Sequence, residues 1–351
     1  MNSDEIYIKR CLQLAENGLG NVAPNPMVGA VIVCNGIIIG EGFHQKFGQA
    51  HAEVNAINNV ENKELLKQST IYVNLEPCAH YGKTPPCAEL IVKMGIPNIV
   101  IGMIDPNEKV AGKGIEILKK AGCNVKVGVL ENECKELNKR FITNQTKKRP
   151  YIILKWAQTK DGFIDIIRIP CENNRPTWIT GENLRTIVHK WRTEEQGILV
   201  GANTVIFDNP MLTSRNWEGS NPTRILIDPE LKSPLNSSIF DNSAPTYIFN
   251  SLKTDDNDSN SFIKIDFSEN AINQILSHLF NKGISSVIIE GGRETLCSFI
   301  RSEIWDEARI LTGNKFFNEG IKAPEIKGIT KATTALGTDS ITLLYNPKNQ
   351  I

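Results

Sequence analysis

The sequence predicts an α/β protein of two domains. Three observations carry that prediction: the length, the alternation of short apolar runs with helical patterns, and a charged stretch that interrupts this alternation at 131–149. At about 150 residues per domain, 351 residues accommodate two cores. The expected division is 1–147 and 148–351.

Residues 4–18 read as an amphipathic helix, with Ile6, Cys11, Leu12 and Leu14 towards one side. Pro24-Asn25-Pro26 then excludes a regular helix. AVIVC and IIIGEG flank Asn35-Gly36, a strong hairpin signal between two apolar runs. Residues 50–60, 87–95 and 112–121 are expected to be helical, and 69–75, 99–105 and 123–130 to be strands. Such alternation gives a layered α/β domain. ENECKELNKRFITNQTKKR (131–149) reads as a connecting helix and linker. Beyond it, strands are expected at 151–157, 197–201, 223–228, 245–249, 285–290 and 306–312. Ser268 stands where a helix cap is expected, before Ile272, Ile275, Leu276, Leu279 and Phe280 at helical spacing. KTDDNDSNS (253–261) reads as a solvated loop.

Lys plus Arg and Asp plus Glu are both 39, so no broad basic field is available to hold a nucleic-acid backbone. The polar start MNSDEIYIKRCLQLAENG lacks the apolar core of a signal peptide, and no run is long and apolar enough to span a membrane. Eight cysteines spread over such a length argue against a disulfide scaffold and for metal binding or chemistry in a cytoplasmic protein.

The decisive residues are His51-Ala52-Glu53, Glu76-Pro77-Cys78-Ala79-His80 and Pro85-Pro86-Cys87. One imidazole and two thiolates leave the fourth position of a tetrahedral zinc open, as catalysis requires. Zinc draws the pKa of a bound water from ~9 towards ~7, which makes hydroxide available to attack an amidine carbon. Ammonia leaves only when protonated, so a carboxylate must carry a proton across, and Glu53 is suited to that task. His51 and Glu53 open an expected helix, and Cys87 begins another, where a helix N-terminus favours the thiolate. A structural zinc in a binding module is the competing reading. It needs a fourth protein ligand, for which His80 is the close candidate, and it gives Glu53 no role. Cys11, Cys34, Cys123, Cys134, Cys171 and Cys297 read as ordinary thiols, and His189 and His278 as structural or solvent-facing helix residues.

Eight residues separate Cys78 from Cys87, whereas cytidine and transfer-RNA adenosine deaminases normally carry Pro-Cys-x-x-Cys. The segment from Glu76 to Cys87, together with Pro24-Asn25-Pro26-Met27-Val28-Gly29, resembles the deaminase domain of the bifunctional riboflavin-biosynthesis deaminase/reductases. The resemblance implies a cytidine-deaminase-like α/β/α domain. It also implies a small phosphoribosyl pyrimidine substrate, 2,5-diamino-6-(5-phosphoribosylamino)pyrimidin-4-one, which loses its 2-amino group. Asn25 matches the loop beside the pyrimidine pocket, and His80 and Lys83 are candidates for contacting base or phosphate.

The second half has no G-x-G-x-x-G after a strand. Ile288-Ile289-Glu290-Gly291-Gly292 instead runs from a buried strand through a Gly pair into a helix, a weak phosphate-site signal by itself. Leu154-Lys155-Trp156-Ala157, Asp161-Gly162, Trp178-Ile179-Thr180, Gly201–Val205, Asp208–Arg215 and Glu290-Gly291-Gly292 resemble the reductase half of the same family. That half has a dihydrofolate-reductase-like fold and reduces the ribosyl chain to ribityl with NADPH. By position, Ala157, Trp178, Thr204, Asp208 and the segment Gly292, Arg293, Glu294, Thr295, Leu296, Cys297 and Ser298 would touch the dinucleotide. Arg192, Leu212, Arg215 and Glu290 would touch the substrate, with Lys155 a further candidate near hydride transfer. The arginines suit a phosphate, which guanidinium binds bidentately.

One stretch departs from the family. FIDIIRIPCENNRPT between Gly162 and Trp178 is several residues longer than usual, and Pro176 stands where a substrate-contacting serine is common. A remodelled loop over the reductase site is expected. Two further alternatives stay open, a nucleic-acid deaminase such as a transfer-RNA editing enzyme and a deaminase with a degenerate reductase half. The resemblance further implies a dimer or tetramer.

Overall fold

The structure is a computed structural model that describes residues 2–79, 81, 85–107, 110–168, 177–256 and 259–349. The chain forms two compact units that meet in sequence between Lys148 and Arg149.

The first unit runs α1 (Ser3–Glu16), β1 (Gly29–Cys34), β2 (Ile37–Phe43), α2 (Ala52–Asn58), β3 (Thr70–Leu75), α3 (Cys87–Lys93), β4 (Asn98–Met103), α4 (Lys113–Lys120), β5 (Asn124–Val127), α5 (Glu131–Leu137) and α6 (Lys139–Lys147). α1 begins with a capping box in which Asn2 and Glu5 satisfy each other's backbone N–H groups. Asn35 and Gly36, both at positive φ, turn β1 into its antiparallel partner β2. The sheet order is β2-β1-β3-β4-β5, with β3, β4 and β5 parallel. All six residues of β1 are buried, because the sheet is covered on both sides. Ala30, Ile32, Ile71 and Ile99 pack on α2, α3 and α4, whereas Val31, Val33, Tyr72 and Val100 pack with Ile8, Cys11, Cys134 and Ile142 of α1, α5 and α6.

Two expectations need correction here. The strand expected over 123–130 stops at Val127, since Gly128 and Leu130 take positive φ and turn the chain into α5. The stretch 131–149 is not a simple connecting helix with linker. It breaks at Asn138 into two helices, because Asn138 is buried, its Oδ1 accepting from Met27 N (2.8 Å) and its Nδ2 donating to Met27 O (3.0 Å).

The second unit runs β6 (Tyr151–Gln158), β7 (Phe163–Asp165), α7 (Glu182–Glu194), β8 (Gly197–Gly201), α8 (Ala202–Asp208), β9 (Thr223–Ile227), β10 (Thr246–Asn250), β11 (Asn260–Lys264), α9 (Ala271–Asn281), β12 (Ser286–Ile289), α10 (Arg293–Arg301), β13 (Glu307–Thr312), β14 (Ile321–Lys322), β15 (Ile329–Leu336) and β16 (Asp339–Tyr345). Its large sheet has the order β11-β10-β9-β8-β12-β6-β13-β16-β15, parallel as far as β13 and antiparallel beyond. β7 and β14 form a separate two-stranded ribbon. The main core gathers Ile152, Leu154, Leu199, Phe249, Ile289 and Phe299 under α9 and α10.

The end of the expected solvated loop is ordered: β11 starts at Asn260 and pairs in parallel with β10, and Asp255 bridges to Phe262. The cap of α9 is Asn270, whose Oδ1 accepts from Asn273 N (3.3 Å). Ser268 instead donates its hydroxyl to Asp266 (2.6 Å). Among the described residues no helix is long and apolar enough to cross a membrane.

Candidate active sites

Three chain ends of the first unit converge on one point. His51 occupies the cap position of α2 in extended conformation, Cys78 follows β3, and Cys87 is the first residue of α3. Their ligand atoms lie within 4.8 Å of one another. His51 Nδ1 stands 3.5 Å from Cys78 Sγ and 3.3 Å from Cys87 Sγ. A tetrahedral zinc with bonds of about 2.05 Å to nitrogen and 2.3 Å to sulfur sets such an N···S edge at about 3.5 Å, so the donors fit zinc. The Cys87 N–H donates to Cys78 Sγ (3.3 Å) from the start of α3. The Cys78 thiol is held well below its ordinary pKa, first by hydrogen bonding with Cys87 and then, against burial, by His51. Glu53, in the first turn of α2, is buried beside them, and that burial pushes its carboxyl up to about 7.

The residues around this point hold it from two sides. Glu76 is buried, and its carboxylate accepts from the backbone of Gly112 (3.0 Å), Gly114 (2.9 Å) and Ile115 (3.3 Å) at the start of α4. A negative charge is favoured at that helix end, and the bonds tie the Pro77-Cys78 turn to α4. Gly114 is required there, since a Cβ would stand 2.1 Å from Pro77 O. On the other side, Asn74 and Asn138 pin the backbone of Met27, next to the Asn25 loop. Asn25 Nδ2 donates to His44 Nε2 (3.1 Å), and His44 Nδ1 donates to Ala50 O (3.0 Å). That chain of bonds leaves Asn25 Oδ1 as the available acceptor. His44 was missed as a site residue; Glu76 stands in the motif, but the sequence assigned it no role, its signal being an acid directly before Pro-Cys at a strand end. His80 and Lys83 lie outside the described residues.

In the second unit a cavity of about 1400 Å³ opens at the C-terminal ends of the parallel strands, the usual location for ligands in open α/β sheets. It brings together Lys155, Ala157, Trp178, Arg192, Thr204, Asp208, Leu212, Arg215, Glu290, Gly292, Arg293, Glu294, Thr295 and Leu296. Cys297 and Ser298 lie further along α10 and do not line it; the Ser298 hydroxyl donates to Glu294 O (2.8 Å). Pro176 lies outside the described residues.

Glu290, one residue past β12, is the electrostatic centre. Arg192 grips it with Nε (3.1 Å) and Nη2 (2.7 Å), and Lys155 Nζ stands 3.5 Å away. Against the effect of burial, these two cations hold its carboxyl down at about 2. Burial lowers the pKa of Lys155. Arg192 Nη1 and His189 Nδ1 both donate to Thr213 O, each at 3.0 Å, so His189 is a buried strut of this wall. At the mouth Trp178 is half exposed, with the Arg185 guanidinium 4.5 Å from its ring centroid. The Gly pair is not an ordinary turn. A Cβ on Gly291 would meet Val200 Cβ at 2.6 Å, and Gly292 takes φ +63° as it caps α10.

Two family models match successive stretches of the chain: the cytidine and deoxycytidylate deaminase zinc-binding region over 1–103, and the RibD C-terminal domain over 150–333. Riboflavin biosynthesis protein RibD of Aquifex aeolicus is 39% identical over 331 residues, covering 92% of this chain and 90% of that protein. The chain belongs to the RibD family. The RibD of Bacillus amyloliquefaciens is 42% identical over 313 residues, covering 87% of this chain and 82% of that protein. A crystal structure from Thermotoga maritima, of a diaminohydroxyphosphoribosylaminopyrimidine deaminase/5-amino-6-(5-phosphoribosylamino)uracil reductase, superposes with a TM-score of 0.88. It is 37% identical, and the match covers 98% of this chain and 99% of that one. The chain is therefore a bifunctional RibD enzyme, a zinc-dependent deaminase joined to an NADPH-dependent reductase. Its folds are the cytidine-deaminase-like and dihydrofolate-reductase-like ones expected. Coverage of both halves favours neither a nucleic-acid deaminase nor a degenerate second half.

Proposed function

We propose that the chain carries out two successive steps on one phosphoribosyl pyrimidine. The unit over 1–147 removes the 2-amino group of 2,5-diamino-6-(5-phosphoribosylamino)pyrimidin-4(3H)-one. The unit over 148–351 reduces the ribosyl chain of 5-amino-6-(5-phosphoribosylamino)uracil to ribityl. The observation that carries this reading is the donor set His51, Cys78 and Cys87 beside the buried carboxyl of Glu53.

His51, Cys78 and Cys87 would hold the zinc, which when bound polarises water and supplies a nucleophile at neutral pH. Glu53 would take up a proton at its buried carboxylate and pass it to the departing amino nitrogen. Its burial favours a carboxyl that changes protonation state near neutrality. Asn25, oriented by His44, offers Oδ1 to an N–H of the base. His80 and Lys83 keep the substrate roles that the family pattern gives them.

In the second unit, Lys155, Arg192 and Arg215 set three cationic groups against the single carboxylate of Glu290. The surplus of positive charge suits a phosphate dianion. Glu290 holds Lys155 and Arg192 in position, and Leu212 supplies an apolar wall. The substrate assignment of Pro176 is retained on the family pattern alone. The first turn of α10, after Gly292, presents backbone N–H groups to the dinucleotide's phosphates. Ala157, Trp178, Thr204 and Asp208 line the remainder of its path, and Cys297 and Ser298, further along α10, are retained on the family pattern alone.

The reading includes a cytoplasmic homo-oligomer, a dimer or tetramer. What supports self-association is β15, an edge strand whose residues Ile329–Ala335 are all exposed. Its free backbone groups are open to a second strand. Sedimentation of the purified chain tests this, and a monomer at all concentrations overturns it. The reactions are tested by supplying the diaminopyrimidine ribotide and following ammonia release, then NADPH oxidation. Absence of ammonia overturns the first assignment, and ammonia without NADPH consumption overturns the second.

A further inference from the structure

Three residues past β7, one side chain lines the reductase cavity and reaches the end of α8. Arg168 is largely buried, with 15% of its side chain exposed. Its Nε donates to Asp165 Oδ2 (3.0 Å), and its Nη2 bonds the same carboxylate and donates to Asp208 Oδ1 (2.6 Å). Nη1 donates to Phe207 O (3.3 Å), and the guanidinium lies 5.9 Å from the Phe207 ring centroid. Arg168 therefore ties the β7–β14 ribbon to the C-terminal end of α8. The ribbon is fastened at a second point, where Arg293 of α10 donates to Lys322 O (3.0 Å). Asp165, Arg168, Asp208 and Arg293 all line the cavity.

Hydrogen bonding decides what this corner can receive. Among the described residues Asp165 and Asp208 share the guanidinium of Arg168, whose donors are turned to these carboxylates and to Phe207 O rather than to a phosphate. The phosphates are served instead by the first turn of α10. Asp208 Oδ1 is taken by Arg168, while no described group donates to Oδ2. A fixed carboxylate oxygen facing a cavity is an acceptor for sugar hydroxyls, the role acidic side chains play towards nucleotide ribose elsewhere.

We propose that Arg168 is a positioning residue for the dinucleotide: it fixes the Asp208 carboxylate so that Oδ2 accepts a hydrogen bond from a ribose hydroxyl of the cofactor. The proposal rests on the reductase reading above. It assigns Arg168 no contact with the cofactor's 2′-phosphate.

The test is direct binding of NADPH and NADH to the full chain without substrate, read by nicotinamide fluorescence. If the wild-type chain binds neither, the reductase reading itself fails. Given wild-type binding, Arg168→Gln is expected to raise both dissociation constants about tenfold and equally, the scale of one well-placed hydrogen bond to a charged group. Asp208→Asn is expected to do the same, and adding Arg168→Gln to it to cost less than a further twofold. Arg168→Lys, which keeps the charge and loses the fork, should fall between wild type and Gln. Loss confined to NADPH overturns the proposal, because Arg168 then meets the 2′-phosphate. Unchanged binding in Arg168→Gln, or fully additive losses in the double variant, also overturns it.

Discussion

The two sites solve the same problem, holding charge inside a protein, in opposite ways. In the first unit the donors sit at the ends of α2, β3 and α3, within 37 residues of sequence from His51 to Cys87. Among the described residues no lysine or arginine bonds the thiols or the imidazole, and the converging donors form a set that a metal completes. In the second unit the groups come from β6, α7, the loop after α8 and the end of β12, and Glu290 is already balanced by Lys155 and Arg192. A site that needs a metal is compact and has a strong sequence pattern. One that balances itself with ion pairs is spread over the chain and has a weak one.

The contrast can be broken in several ways. The largest effect is expected from Cys87→Ala or a strong chelator. Ammonia release should vanish while NADPH binding persists, and metal analysis of the same sample should find zinc lost. Next, Glu53→Gln should retain zinc and lose deamination by about 10²–10⁴-fold, the range for a positioned proton carrier. Full activity in that variant would remove Glu53 from the mechanism. Third, Glu290→Ala leaves Lys155 and Arg192 buried without their counterion, which costs about 3–5 kcal/mol. All five tryptophans lie in the second unit, so tryptophan fluorescence during denaturation reads this loss separately from the first. An unchanged midpoint would mean the triad is solvated rather than mutually balanced. Fourth, Gly292→Ala forces a side chain onto φ +63°, at about 1–3 kcal/mol, and should weaken NADPH binding before it affects deamination.

The smallest effect is on acid stability. Burial, followed by the charges of Arg192 and Arg215, lowers the His189 pKa to about 4, so the folded state prefers the neutral ring. Its contribution is complete above the ordinary imidazole pKa of about 6.5 and is lost as pH falls through that value towards 4. Glu290, held down at about 2, contributes fully above the ordinary carboxylate range and loses its contribution as pH falls towards 2. Both act in the same direction, so the tryptophan-reported midpoint should decline steadily below about pH 6.5. A flat profile between pH 7 and 4.5 would remove His189 from the ledger.

The metal donors and most of the parallel strands were legible because each rests on a local signal. Asn35-Gly36 marks the hairpin, Pro85-Pro86 marks the start of α3, and uninterrupted apolar runs mark buried strands. His44 was not legible, since its importance comes from bonds to Asn25 and Ala50 that sequence spacing does not reveal. The antiparallel pair β15 and β16 was missed because β15 is exposed along nearly its whole length and so shows no apolar alternation. β11 was hidden by the acidic residues before it. Asn270 prevailed over Ser268 because Ser268 was already engaged with Asp266. Asp208 carried a family signal, but its partner Arg168 lies in a stretch without one.

Asn138 sets a lower limit on how far the deaminase can be cut down. The zinc-binding match ends at residue 103, and a fragment ending there would keep His51, Glu53, Cys78 and Cys87. It would lose the carboxamide that clasps both backbone groups of Met27, two residues from Asn25. It would also lose the start of α4, which holds Glu76 and with it the Pro77-Cys78 turn, so the smallest faithful unit keeps both supports of the site and extends through the helices that looked like a tether.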